Sequence, residues 1–154
     1  MIYITRRERF NAAHKLFRKE WTDEQNLEVF GKCSNPNWHG HNYELFVTVK
    51  GEIDPRTGML VDLGALQSVI DEQVIEPFDH TFLNKDIAYF ADVVPTAENI
   101  AVHIQDLLRL PIEQLGAYLH KIKLIESPNN SCEVYCVQPQ AKASSSSDAV
   151  LTSV

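Results

Sequence analysis

Apolar and polar residues alternate most clearly over residues 41–50. There Tyr43, Leu45, Val47 and Val49 fall on one face, and Asn42, Glu44 and Thr48 on the other. A period of two over that length predicts a half-buried β-strand. Residues 2–14 carry the same pattern in weaker form. Ile2, Ile4, Phe10 and Ala12 share one parity and His14 ends the row, while Arg6 and Glu8 interrupt it, which predicts a bulge or a polar patch. From residue 63 the period lengthens. Leu63, Leu66, Ile70 and Val74 form one stripe and predict a helix over 63–76, with Asp62 as its N-cap and Pro77 as its stop. Ile100, Ile104, Leu107 and Leu108 predict a second helix over 97–108, capped by Thr96, with Glu98 in the first turn where the helix dipole favours negative charge. Residues 118–126 and 132–138 read as two strands joined by a hairpin at Ser127-Pro128-Asn129-Asn130.

The connecting segments are polar. Residues 15–38 read as irregular, with Asn35-Pro36-Asn37 as a turn, and Asp54-Pro55-Arg56-Thr57-Gly58 is another turn. The stretch from Gln140, including Ser144–Ser147, has the composition of a disordered tail. The expected organisation is one domain over 1–139 followed by a Ser-rich tail over 140–154. Its element order is ββααββ, an α+β arrangement with both helices on one face of an antiparallel sheet. Four strands leave two open edges, which invite pairing with other subunits.

Charge and cysteine usage narrow the function. The net charge is −7, which argues against nucleic acid or an anionic membrane as a general partner, because both need a basic face. A single anionic ligand in a locally basic pocket remains compatible with it. No stretch approaches the ~18 apolar residues of a membrane span, and nothing at the start reads as a signal peptide. The cysteines are Cys33, Cys132 and Cys136. An odd count makes a poor disulfide framework, and four residues along a strand separate two thiols by about 13 Å, beyond disulfide reach. The reading is a reducing, cytoplasmic setting.

The strongest chemical signal is His39-Gly40-His41. Two histidines at i and i+2 on an extended segment point to one face, here the inward face of Tyr43 and Leu45. Antiparallel pairing of the first two strands across residues 15–38 brings His14 beside them. Three imidazoles suffice for a catalytic zinc, which keeps one position open. Cys33, six residues before His39, is open to several roles: fourth ligand, nucleophile, general base or inert thiol. Asp79-His80 follows Pro77 in a loop, where an aspartate can orient an imidazole, although a surface pair has the same signature. Glu126 closes the inward row of Ile122 and Leu124, and a carboxylate there needs a partner. A ligand with adjacent ring N–H and amino donors would supply one. His103 and His120 read as structural, and Lys15, Arg18 and Lys19 as a solvated face beside the metal candidates.

Several ordered segments together resemble the 6-pyruvoyltetrahydropterin synthase family over nearly all of residues 2–138. They include Phe10-Asn11-Ala12-Ala13-His14, Glu28-Val29-Phe30-Gly31-Lys32-Cys33, Asn35-Pro36-Asn37-Trp38-His39-Gly40-His41-Asn42-Tyr43, Asp79-His80, Tyr89-Phe90-Ala91-Asp92-Val93, Glu98-Asn99, and Glu126 before Asn129-Asn130. The resemblance implies a tunnelling fold, with ββααββ subunits whose sheets join into a barrel. It implies a homohexamer of stacked trimers with active sites between subunits. It also implies zinc, with magnesium as an optional further ion, held by His14, His39 and His41. In the same reading Cys33 is the general base, Asp79 and His80 complete a proton-transfer group, and Glu126 and Thr96 bind the substrate, Glu126 as the pterin anchor. That substrate is 7,8-dihydroneopterin triphosphate, converted to 6-pyruvoyltetrahydropterin by elimination of triphosphate.

The sister 6-carboxytetrahydropterin synthases of the queuosine pathway resemble this chain too. They act on the same substrate and release acetaldehyde as well as triphosphate. Five residues separate Cys33 from His39, a spacing similar to the pyruvoyl type, whereas Pro95-Thr96-Ala97-Glu98-Asn99 looks more like the sister type. A non-catalytic zinc-binding scaffold of the same fold would be expected to lack Cys33 or Glu126, and both are present.

Overall fold

The computed structural model describes residues 1–137. The expected tail from Gln140, and the last residue of the strand expected over 132–138, lie outside the described residues. Five strands form one sheet: β1 (Ile2–His14), β2 (His39–Gly51), β3 (Thr81–Phe82), β4 (Tyr118–Ser127) and β5 (Asn130–Tyr135). Their spatial order is β3-β1-β2-β4-β5. All pairings are antiparallel except that of β3, which runs parallel to Ala12 and Ala13 of β1.

The register of β1 on β2 is unbroken from Ile2↔Gly51 to His14↔His39. The interruption at Arg6 and Glu8 is therefore a polar patch and not a bulge. The two side chains pair with each other at 2.6 Å, which lets charged groups occupy inward parity near the end of the sheet. Further along, the inward row becomes the core, with Phe10, Ala12, Tyr43, Leu45, Val47, Val49, Ile122 and Leu124 all buried.

The helix Ala97–Gln114 covers this face with Ile100, Ile104, Leu108 and Ile112. It runs six residues beyond the expected end at 108 and passes through Pro111. Proline removes one i→i−4 hydrogen bond, but Ile112 continues the buried stripe at the next turn. The helix expected over 63–76 begins as Leu63–Ile70, with Asp62 Oδ1 accepting from the Ala65 N–H. It then widens into a π-turn at Asp71–Ile75 and ends with Glu76–Phe78. Pro77 has no N–H to donate to the preceding turn, so the chain passes it by a wider turn and stops at Phe78. Leu66, Ile70 and Val74 bury fully, while Leu63 stays exposed.

Residues 15–38 are not wholly irregular. A helix spans Asp23–Phe30, opened by a capping box in which Thr22 Oγ1 accepts from the Gln25 N–H and Gln25 Oε1 accepts from the Thr22 N–H. Its Leu27 and Val29 are exposed, so it has no apolar stripe by which periodicity would reveal it. The short β3 strand leaves no sequence signal for a similar reason, since two residues carry no period.

Candidate metal centre

β1 and β2 end side by side, and three histidines come together at that end. Register places His14 opposite His39 and Ala12 opposite His41, so all three rings project from the same face. Gly40, between the two β2 histidines, permits the close strand approach, because a Cβ there would lie 3.1 Å from the Ala12 carbonyl oxygen. One nitrogen from each of His14, His39 and His41 lies within 4.8 Å of the others. His14 Nε2 is 3.0 Å from His39 Nε2.

Burial and hydrogen bonding prepare these rings as ligands. His14 is 1% exposed, and burial first, then the neighbouring imidazoles, push its pKa down to about 4. Its Nδ1–H donates to the Pro95 carbonyl at 2.8 Å, which leaves the Nε2 lone pair facing the cluster. His39 is likewise held below the usual histidine range, by burial and then by His41. His41 Nε2 is buried and lacks a hydrogen-bond partner among the described residues. A buried polar atom of that kind calls for a partner, and a divalent metal shared with His14 and His39 fits it. Three imidazole nitrogens suit zinc.

Glu126 flanks the cluster from the end of β4. Its Oε1 is 3.8 Å from His14 Nε2 and 3.9 Å from His41 Nε2. Burial disfavours the charged form of His14, so its contact with Glu126 is not an ion pair. Glu126 also lines a cavity of about 550 Å³ with Leu16, Thr96, Glu98, Asn129 and Cys132, a size in the range of small-molecule sites. Thr96 caps the Ala97–Gln114 helix, its Oγ1 accepting from the Asn99 N–H at 3.3 Å.

Cys33 lies in the single turn Gly31–Ser34 after the Asp23–Phe30 helix. Its carbonyl accepts from the Leu16 N–H at 2.9 Å, which ties the turn to the chain just beyond His14. Its thiol is near enough to Tyr43 to help raise the phenol's pKa, after burial and Glu126. Asp79 and His80 are placed elsewhere. Asp79 Oδ1 accepts from the Asn11 N–H at 2.7 Å, the His80 N–H donates to the Asn11 carbonyl at 2.6 Å, and the two side chains meet at 2.7 Å. The Asn11 N–H and then His80 hold the Asp79 carboxyl below its usual range. Among the described residues, these links include none to the histidine cluster or to Cys33 within one chain.

Two contributors carried no sequence signal as site residues. Pro95 acts through its carbonyl, which no side chain reports. Tyr43, which reads as core, also approaches His14 Nδ1 with its hydroxyl at 3.4 Å.

The family model described as 6-pyruvoyl tetrahydropterin synthase matches residues 3–136. The chain belongs to this family. A Pongo abelii protein named 6-pyruvoyl tetrahydrobiopterin synthase is 51% identical over 129 residues, covering 82% of this chain and 86% of its own length. The solved structure of the Caenorhabditis elegans 6-pyruvoyl tetrahydropterin synthase superposes with a TM-score of 0.83 at 35% identity, over 88% of this chain and 96% of that one. A Rickettsia bellii 6-carboxy-5,6,7,8-tetrahydropterin synthase is 32% identical over 150 residues, covering 87% of this chain and 100% of its own. The likeness favours the pyruvoyl branch of the family over the carboxy branch. Within the synthase fold, no described helix is long and apolar enough to cross a membrane.

Proposed function

We propose that this chain is a zinc-dependent lyase that converts 7,8-dihydroneopterin triphosphate to 6-pyruvoyltetrahydropterin and triphosphate. The observation that carries the reading is the convergence of three imidazole nitrogens within 4.8 Å beside a cavity that ends on Glu126. His14, His39 and His41 would hold the metal, which when bound supplies Lewis acidity that makes the substrate's side-chain hydroxyls and the adjacent C–H groups more acidic.

The remaining roles fall to the chain itself. Glu126 accepts hydrogen bonds from the pterin ring N–H and 2-amino group, with two carboxylate oxygens matched to two adjacent donors. Thr96 lines the same cavity. Cys33, whose carbonyl is tied to the Leu16 N–H two residues after His14, takes the proton from the substrate side chain. The reaction needs no external oxidant, because the ring gains the two hydrogens that the side chain loses as triphosphate departs. Asp79 and His80 serve proton transfer in a site assembled between subunits. Their links to Asn11, away from the cluster of their own chain, support that arrangement.

The test uses the full chain. Cys33→Ala and His80→Ala should each keep about one zinc per subunit and lose most triphosphate release. Subunits of the two variants, unfolded and reassembled together, should recover part of the activity. Full activity in Cys33→Ala would remove the thiol from the chemistry, and a mixture with no recovery would place both groups in one subunit's site. Stoichiometric zinc in a His39→Ala variant would remove His39 from the ligand set.

A further inference from the structure

Trp38 immediately precedes His39 and has φ of 58°. The left-handed region is unusual for a bulky side chain and persists only where the surroundings enforce it. The Trp38 N–H donates to the Asn35 carbonyl at 3.3 Å, closing the turn that delivers the chain to β2. Its indole lies on Phe82 with ring centroids 3.7 Å apart and planes 7° from parallel. Lys85 Nζ sits 4.7 Å from the Trp38 ring and 5.4 Å from that of Phe82, so a cation faces both π-systems.

Sheet topology gives this stack its consequence. Phe82 pairs with Ala13, and Ala13 pairs with Gly40, in the row next to His14↔His39. The stack therefore joins the entrance of β2 to the far edge of the sheet across β1. His39 is the first residue of β2 and has sheet support on one side only. His14 has Pro95 to orient its ring, whereas the side-chain hydrogen bond of His39 among the described residues runs to His14 itself. The fixed point upstream of His39 is Trp38.

We propose that Trp38 is a positioning residue for His39: its stack on Phe82 holds the backbone in the left-handed conformation from which His39 enters β2 aimed at His14. The proposal rests on the reading of His39 as a metal ligand. The stack also reaches the Asp79–His80 segment, since Phe82 lies two residues beyond His80, itself left-handed at φ of 57°.

The experiment measures zinc affinity by chelator competition on the full-length protein, together with the thermal midpoint of the metal-free form. Trp38→Ala keeps the backbone demand but loses the stack, and it should weaken zinc binding about tenfold or more, as loss of a supporting contact to a metal ligand does. Trp38→Phe, which can still stack, should stay near wild type. Trp38→Gly, which adopts the left-handed region freely, should recover most of the affinity lost in Trp38→Ala. Should Trp38→Ala fail to fold, Phe82→Leu removes the stacking partner instead and carries the same expectation. Wild-type affinity in Trp38→Ala or Phe82→Leu would overturn the proposal, as would a Trp38→Gly variant as weak as Trp38→Ala. A wild-type protein that binds no zinc would defeat the metal reading itself, a distinct outcome.

Discussion

His14 shows how burial and one backbone acceptor turn an ordinary imidazole into a ready ligand. Its neutral form is enforced by burial, and its tautomer by the Pro95 carbonyl. The same burial has a cost in acid. An unfolded histidine protonates near pH 6.5, whereas folded His14 resists until about pH 4, so the unfolded state binds more protons between those values and stability falls as pH drops through that window. In the metal-free protein the loss attributable to His14 should approach roughly 3 kcal/mol at pH 4. Denaturant unfolding from pH 7 to 4 should show a steeper decline for wild type than for His14→Asn, and equal slopes would contradict the assignment. At Glu126 the expectation concerns binding. Glu126→Gln removes a partly buried charged acceptor and should weaken pterin binding by roughly 2–4 kcal/mol while leaving zinc content unchanged; calorimetry with a substrate analogue checks it. These positions were legible because parity aims them: His39 and His41 share a face, and Glu126 ends an inward row. The Pro95 carbonyl was not, because a backbone acceptor leaves no mark in residue type. The Trp38 conformation was not either, because nothing in a turn sequence reports the sign of φ at the residue that leaves it.

Elements were legible in proportion to how fully one face is buried. β2 is legible because its inward row of Tyr43, Leu45, Val47 and Val49 is fully buried, and its span, His39–Gly51, includes both histidines. The Asp23–Phe30 helix is not legible in the periodicity because its exposed Leu27 and Val29 give no stripe, although Thr22-Asp23-Glu24-Gln25 carries a capping box. Pro111 hid the last turns of the Ala97–Gln114 helix, where burial of Ile112 outweighs one lost hydrogen bond. The β1–β2 pair makes the sharpest element-level prediction. Gly40→Ala places a methyl 3.1 Å from the Ala12 carbonyl oxygen, and backbone atoms cannot step aside as a flexible side chain can. The variant should lose about 1–3 kcal/mol of stability, and it should lose zinc affinity too, since the strand shift separates His14 from His39. Paired measurements of unfolding free energy and zinc affinity would check both, and a stable variant with wild-type affinity would show that the strands have slack.

At the scale of the whole molecule, the proposed site residues of one chain fall into two separate groups. The histidine cluster, Cys33 and the Glu126 cavity lie at the end of β1 and β2, while Asp79 and His80 hang on Asn11 of β1, just before the edge strand β3. The proposal joins them across copies, for which open sheet edges are suited, and with a net charge of −7 capture of an anionic substrate falls to local groups. The decisive step of the reaction is the fate of the substrate's three-carbon side chain. Both branches of the family begin with deprotonation and loss of triphosphate, and they part where a carbon–carbon bond survives or breaks. The direct measurement is incubation of zinc-loaded enzyme with 7,8-dihydroneopterin triphosphate, with triphosphate, acetaldehyde and the pterin mass followed together. One triphosphate per turnover, a 6-pyruvoyl product and no acetaldehyde is the predicted result. Stoichiometric acetaldehyde with a 6-carboxy product would contradict it.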